Sequence, residues 1–234
     1  MIPTDPLQLA VVVPTLNEAA HLPATLRSLA EQTAPAGRVI VADGGSADRT
    51  VELARKYGAN VLITPGRGRG GQVAAAVAQL DENMVLVAHA DMVFPPDALE
   101  AIRRHVADYP DCPGGCLGHR FDSPRRVYRL MEWFDRRRAM RGESYGDQAQ
   151  FFRRDRLGEA GGFPDLPMME DVELASRLRR LGRPAYLDRP VTVSPRRFER
   201  RGLLRVLWAN WRFRRAYRAG GAAACRAIFE RYYH

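Results

Sequence analysis

The stretch LAVVVPTLNEA, residues 9–19, decides the fold. Its apolar run Leu9 to Val13 reads as a strand buried on both faces, and PTLNE ends that strand in a polar turn before a helical pattern from Glu18 to Glu31. The same unit then recurs. RVIVA (38–42) precedes a helical pattern over 47–57, NVLIT (60–64) one over 70–80, and MVLVA (84–88) one over 96–107. Short apolar strands alternating with helices imply an α/β fold, with a mostly parallel sheet, helices on both faces and right-handed crossovers. Ligands of such sheets sit beyond the carboxyl ends of the strands. The polar clusters fall there: Pro14 to Glu18, Asp43 to Ser46, Gly66 to Gln72, and His89-Ala90-Asp91.

Past Tyr109 the pattern loosens. CPGGCLGHRF (112–121) reads as a strand, SPRRVYRLMEWFDRRRAMR (123–141) as a helix, and GDQAQFFRR (146–154) as a strand entering a short helix. EDVELASRLRRLGR (170–183) is a helix with acids in its first turn and arginines in its last, which suits the helix dipole. LLRVLWANWRFRRAYR (203–218) and AAACRAIFERYYH (222–234) read as two basic amphipathic helices. The expected division is a domain over 1–200 and a helical tail over 201–234.

A chain of 234 residues accommodates one sizeable core with appendages. With 46% hydrophobic and 27% charged residues it is globular, not disordered. The net charge is +9, and Lys56 is the only lysine, so the positive charge is almost wholly guanidinium. Arginine binds phosphates and carboxylates in bidentate fashion, which leaves phosphorylated ligands, nucleic acid and anionic membranes all compatible with the charge. No apolar run approaches the ~20 residues of a membrane helix. Met1 to Ala10 lacks the basic start of a signal peptide. Cys112, Cys116 and Cys225 are too few for a disulfide framework and suit a reducing cytoplasm.

Each polar cluster has two readings. G66-R-G-R-G-G71 satisfies the dinucleotide GxGxxG pattern, but it follows the third strand and lacks a plain ribose-binding acid after the next one. Its glycines allow close backbone approach at a helix start, and Arg67 and Arg69 suit a diphosphate; the plainer reading is an exposed glycine-arginine loop. Asp43 and Asn17 are either ligand contacts or members of capped turns. Asp91, with His89 two residues before it, can hold Mg2+ or Mn2+, hard ions that take remaining ligands from water and substrate phosphates. Otherwise it caps a loop. Glu170 and Asp171 open a helix, as a general base or as ordinary capping acids. Cys112, Cys116 and His119 lack the fourth ligand of a structural zinc site. His21, His105 and His234 are expected to face solvent.

In this order, VVVPTLNEA, VADGGSADRT, GRGRGGQ, AHADMVFPPDAL and GGFP…MMEDVEL resemble the family 2 glycosyltransferases of GT-A fold, from about Leu9 to Arg183. HAD, GDQ, the 161–183 segment and SPRRFERRGLL (194–204) are similar to the small bacterial radical-SAM/selenodomain-associated transferases, some placed in arsenosugar biosynthesis. The resemblance implies transfer of a sugar from a UDP- or GDP-sugar to an acceptor, with inversion and a divalent metal, Mn2+ or Mg2+. It implies that Pro14, Thr15, Asn17 and Glu18 line the base and ribose, that Asp43 bonds the nucleobase, and that Gln72, Arg67 and Arg69 lie along ribose and phosphates. Asp91 would be the surviving acid of the family's DxD metal motif, with His89 at its first position, and Asp171 the base with Glu170 beside it. Arg197 and Phe198 resemble the Arg-Trp of processive members, yet Ser194 replaces the expected glutamine, which speaks against polymer synthesis.

The competing enzyme is a sugar-nucleotide nucleotidyltransferase, whose glycine-rich loop with lysine after the first strand is absent here. A non-enzymatic binder of nucleic acid or membrane would use the arginines but would not need carboxylates at strand ends. Nucleic acid is the least needed partner. The acceptor stays open among a lipid carrier, a carotenoid-like acid and a small metabolite. The C-terminal helices suit either an anionic membrane surface on the cytoplasmic side or packing against the domain or a homodimer partner.

Overall fold

The structure is a computed structural model that describes residues 7–233; of residue 222 and residues 225–233 it describes the backbone. The signal-peptide reading of Met1 to Pro6, the side chain of Cys225 and the solvent position expected of His234 lie outside the described residues. In chain order the first half runs β1 (Leu9–Thr15), α1 (Leu22–Ala30), β2 (Arg38–Asp43), α2 (Thr50–Lys56), β3 (Asn60–Ile63), α3 (Gly68–Val77), β4 (Met84–Val87), β5 (Met92–Val93) and α4 (Ala98–Asp108). The second half runs β6 (Gly114–Cys116), β7 (His119–Phe121), α5 (Arg126–Ala139), a 3-10 turn at Gly146–Gln148, β8 (Gln150–Arg153) and α6 (Arg154–Glu159). It closes with α7 (Glu170–Leu181), β9 (Ala185–Tyr186), β10 (Val191–Val193), α8 (Arg196–Arg201) and α9 (Leu203–Tyr233).

The main sheet has the order β3-β2-β1-β4-β8-β6-β9. Strands β1 to β4 are mutually parallel, β8 is antiparallel to β4 and β6, and β9 is parallel to β6. A smaller sheet, β5-β10-β7, joins β7, the end of the expected 112–121 strand, to β5 and β10, two short strands that the sequence pattern did not announce. Because side chains alternate across a pleated strand, β1 feeds two cores. Val11 and Val13 pack with Leu22, Leu26, Leu99 and Ile102 on one face. Ala10 and Val12 pack with Val73, Ala76, Leu174 and Leu178 on the other. The expected mixed α/β architecture with a mostly parallel, doubly covered sheet is present.

Boundaries moved for local reasons. The first helix begins at Leu22 with Pro23 in its first turn, a position where the missing N–H costs nothing, while Glu18 to His21 form a turn against the 46–50 loop. The expected strand over 112–121 is two strands in different sheets, separated by Gly118 at φ 82°. The tail's two helices are continuous except at Gly221, whose φ 56° and ψ −141° break the helix between the two expected segments. No helix among the described residues is long and apolar enough to cross a membrane.

Leu86 in β4 is fully buried in the core cluster that also holds Leu22 and Leu26 of α1 and Leu99 and Ile102 of α4. Leu86→Ala is expected to cost about 3 kcal/mol and to lower the melting midpoint by roughly 6–12 °C. A melt within experimental error of the parent would contradict this packing.

Candidate functional site

The carboxyl ends of β1 and β2 are stitched together side chain to backbone. Asn17, in the left-handed region at φ 55°, accepts from the Ala47 N–H at 2.9 Å, while its own N–H donates to Ser46 Oγ at 2.8 Å. The Glu18 N–H donates to Thr50 Oγ1 and the Ala19 N–H to Asp48 Oδ2. Asp43 is fully buried; Oδ1 accepts from the N–H groups of Gly45 and Ser46, and Oδ2 from the hydroxyls of Thr15 and Ser46. These bonds make Asp43 the organiser of this turn. Pro14 is buried in β1 opposite Ala42, and Gln72 is buried with Nε2 donating to the Thr15 carbonyl at 3.2 Å. Both support the site's floor from behind. Leu16, Asn17 and Glu18 supply its accessible rim.

The loop after β4 carries His89 and Asp91. Thr25 of α1 pins it by donating to the Ala90 carbonyl at 2.7 Å. Asp91 points to Arg196 of α8, whose Nε lies 3.3 Å from Oδ2, and the same guanidinium donates to both oxygens of Glu18 at 2.8 and 2.9 Å. Burial pushes the Asp91 carboxyl above the usual carboxylate range, Arg196 pulling the other way. Arg196 was not foreseen. In SPRRF the adjacent Arg197 was aligned to the site, and neighbours on a helix point about 100° apart, which sequence alone cannot resolve. Arg197 is exposed, donates to Asn210 of α9 and still contributes positive charge near His89.

His89 turns the other way. Its Nε2 would meet a Cβ at Gly146 at 2.7 Å, and that same Cβ would lie 3.3 Å from Asp171 Oδ2, so only a glycine fits between the two. Burial first, then the charges of Arg69 and Arg197, pull the His89 imidazole down to about 3, so it is neutral at physiological pH. Asp91, the expected metal carboxylate, thus faces Arg196, while His89 faces Gly146. Among the described residues no group of three His, Cys, Asp or Glu is arranged to hold a metal ion. The chemistry of the Asp91 carboxylate fits a hard cation that takes its remaining ligands from a diphosphate and water.

Across the cleft, α7 begins with the two predicted acids. Asp171 Oδ2 accepts from the Gly146 N–H at 2.8 Å, Oδ1 accepts from the Val172 N–H, and the side chain is 15% exposed. Glu170 is buried, with Oε1 paired to Arg69 Nε and Oε2 without a hydrogen-bond partner. Burial raises its pKa against the lowering effect of Arg69. The Arg69 Nη2 also lies 3.8 Å from Asp171 Oδ2. Arg67 is exposed at the N-cap of α3.

Of the glycines in the 66–71 turn, Gly68, Gly70 and Gly71 lie tightly against protein, whereas a Cβ on Gly66 would meet nothing within 4 Å. A Cβ on Gly70 would lie 2.1 Å from the Leu166 carbonyl, and one on Gly68 2.9 Å from Pro167 Cα. Cys112 and Cys116 are buried free thiols, and burial pushes Cys116 up to about 12. A concavity of about 690 Å3 is lined by Leu7, Asn83 and Arg153 at the amino end of β4, opposite the carboxylates. His21 is partly exposed and His105 half-buried.

Residues 10–157 match the family described as glycosyl transferase family 2. An uncharacterized glycosyltransferase of Mycobacterium tuberculosis is 40% identical over 82 residues, 35% of this chain and 35% of that protein. A dolichyl-phosphate hexose transferase of Haloferax volcanii is 35% identical over 107 residues, 46% of each chain. The matched stretch thus spans less than half the length of these relatives. Among solved structures, S. aureus TarS with UDP-GlcNAc superposes with TM-score 0.66 at 20% identity, covering 80% of this chain and 58% of that one. The mannosyltransferase PcManGT of Pyrobaculum calidifontis, with GDP-Man and Mn2+, gives 0.64 at 24% identity over 89% and 61%. These likenesses show the shared GT-A fold.

Gly70→Ala is expected to destabilise the protein by about 1–3 kcal/mol through overpacking against Leu166. Thermal unfolding checks this, and an unchanged melt would overturn the close approach of α3 to the 165–170 segment.

Proposed function

The chain belongs to glycosyl transferase family 2, and from that premise we propose that it moves a sugar from a UDP- or GDP-sugar to an acceptor hydroxyl or carboxyl, with inversion at the anomeric carbon. One observation carries the reading. Asp171, partly exposed at a helix start and fixed by the Gly146 N–H, stands beside neutral His89 on the loop that carries Asp91. A carboxylate so held is oriented to accept a proton.

In this mechanism Asp171 Oδ2 takes the acceptor proton as the acceptor oxygen bonds to the anomeric carbon. The bond from that carbon to the diphosphate oxygen breaks, and the leaving nucleoside diphosphate keeps the electron pair. Arg69 and Arg196, both oriented by carboxylates, face the growing negative charge, with Arg67 and Arg197 at the rim. A bound Mn2+ or Mg2+, held on the protein side by Asp91, would supply Lewis-acid stabilisation of that leaving group. Glu170 acts through Arg69 as a positioning residue. Asn17 and Glu18 line the nucleoside side, supported by Thr15 and Pro14; Asp43 and Gln72 hold the turn beneath them.

The GDQ motif supplies the amide that holds Asp171, which supports the narrower likeness to the radical-SAM/selenodomain-associated transferases. The catalytic domain is read as 1–200 and the tail as 201–234, the tail attaching the enzyme peripherally to the cytoplasmic face of an anionic membrane.

Asp171→Asn is expected to keep nucleoside diphosphate binding, read by thermal shift, and to lower transfer by about 10^2 to 10^4-fold. Near-normal turnover would remove Asp171 as base. Chelation by EDTA is expected to abolish transfer, and added Mn2+ or Mg2+ to restore it; full activity in metal-free buffer would overturn the metal role of Asp91.

A further inference from the structure

The exposed apolar side chains concentrate on two arginine-rich helices, α5 and α9. Each helix carries two stripes at helical spacing. On α9 the inner stripe holds buried Val206 and the contacts Asn210 to Arg197, Arg214 to Tyr145 and Tyr217 to Glu173. Its outer stripe is Leu204, Leu207, Trp208 and Trp211, all exposed, with Trp208 57% accessible. On α5 the inner stripe is buried Tyr128, partly buried Met131 and buried Ala139. The outer one is Val127, Leu130, Trp133 and Phe134, all exposed. A stripe that faces the domain explains why a helix folds there; a second stripe on the other side needs another partner.

All three tryptophans of the chain lie on these outer stripes. An arginine covers each: Arg137 over Trp133 at 4.0 Å, Arg212 over Trp208 at 4.7 Å and Arg215 over Trp211 at 5.5 Å. The helices converge at Tyr145, whose ring carries Arg138 of α5 at 3.8 Å and whose hydroxyl accepts from Arg214 of α9 at 2.8 Å. Acids are turned inward or absent. On α5, Glu132 accepts from the Phe121 N–H and Arg129, and Asp135 pairs with Arg138. Between 203 and 221 there is no acid at all.

We propose that the outer faces of α5 and α9 together form one docking surface for an anionic lipid bilayer. This goes beyond attachment by the tail, because α5 belongs to the catalytic domain. Indole rings above aliphatic side chains match the headgroup boundary, and guanidinium groups match lipid phosphates. A second copy of the chain is the poorer occupant. An isologous interface would set these arginines against their own copies with no acid to answer them. Nucleic acid would leave Val127, Leu130, Leu204 and Leu207 without a partner.

The test uses the full chain with vesicles of phosphatidylcholine alone and of phosphatidylcholine and phosphatidylglycerol in equal parts, read by flotation and tryptophan emission. The expected result is flotation and a shift of emission to shorter wavelength with phosphatidylglycerol only. The pair Leu130→Ser with Trp133→Ser on α5, and the pair Leu204→Ser with Trp208→Ser on α9, are each expected to weaken partition about tenfold while melting as the parent does. Parent-like flotation of the α5 pair would overturn the proposal, as would failure of the parent to float. So would a parent dimer that these pairs convert to monomer while flotation is unchanged. None of these readouts depends on sugar transfer, so they stand apart from the catalytic reading.

Discussion

The pairing of Arg69 with buried Glu170 is the contact on which the site depends. A carboxylate removed from water at a helix start is costly unless a cation meets it, and breaking such a pair leaves an uncompensated charge. Arg69 can reach Glu170 only because α3 begins almost in contact with the segment before α7, and that approach is possible only because Gly68 and Gly70 lack side chains. The same guanidinium then stands near Asp171 and lends its charge to His89. One ion pair therefore ties a crossover helix of the parallel half to the first turn of α7.

A second constraint works at the other end of the cleft. The loops after β1 and β2 have no regular pairing of their own, so their backbone groups need partners. Asn17, Asp43, Ser46, Asp48 and Thr50 provide them, each loop satisfying the other. A rim built in this way is stiff although it is irregular. It can hold Glu18 against Arg196 without a helix or strand beneath that residue.

The parallel half was legible because periodicity carries it: apolar runs of strand length and glycine or proline at the joints are local signals. The acids at strand and helix ends were legible for the same reason, since Asp91, Glu170 and Asp171 follow directly from where β4 ends and α7 begins. Asp43 illustrates the limit. Its position at a strand end could be read, but whether its oxygens face a ligand or the turn depends on Thr15 and Ser46 reaching it. Arg196 and the Gly146 amide were hidden because they arrive from 178 and 25 residues away along the chain, in contacts that no spacing rule encodes. The glycine turn shows the same limit. Glycine signals close approach but does not say of what, and here the answer is Leu166 and Pro167.

The net charge of +9 divides into two populations with different physics. Arg69 and Arg196 are each fixed by carboxylates, Glu170 and Asp171 for one and Glu18 and Asp91 for the other. A guanidinium oriented before a ligand arrives has lost its rotamer freedom already, so the ordering cost is not incurred at the moment of reaction. The arginines of α5 and α9 that cover tryptophans are instead exposed, with water around them and few acids within reach. Their interactions are long-range and screened by salt, whereas those of Arg69 and Arg196 are short contacts with carboxylates only 5–21% exposed. Charge that looks uniform in the sequence therefore acts in two ways, as orientation inside the cleft and as attraction on the outer face.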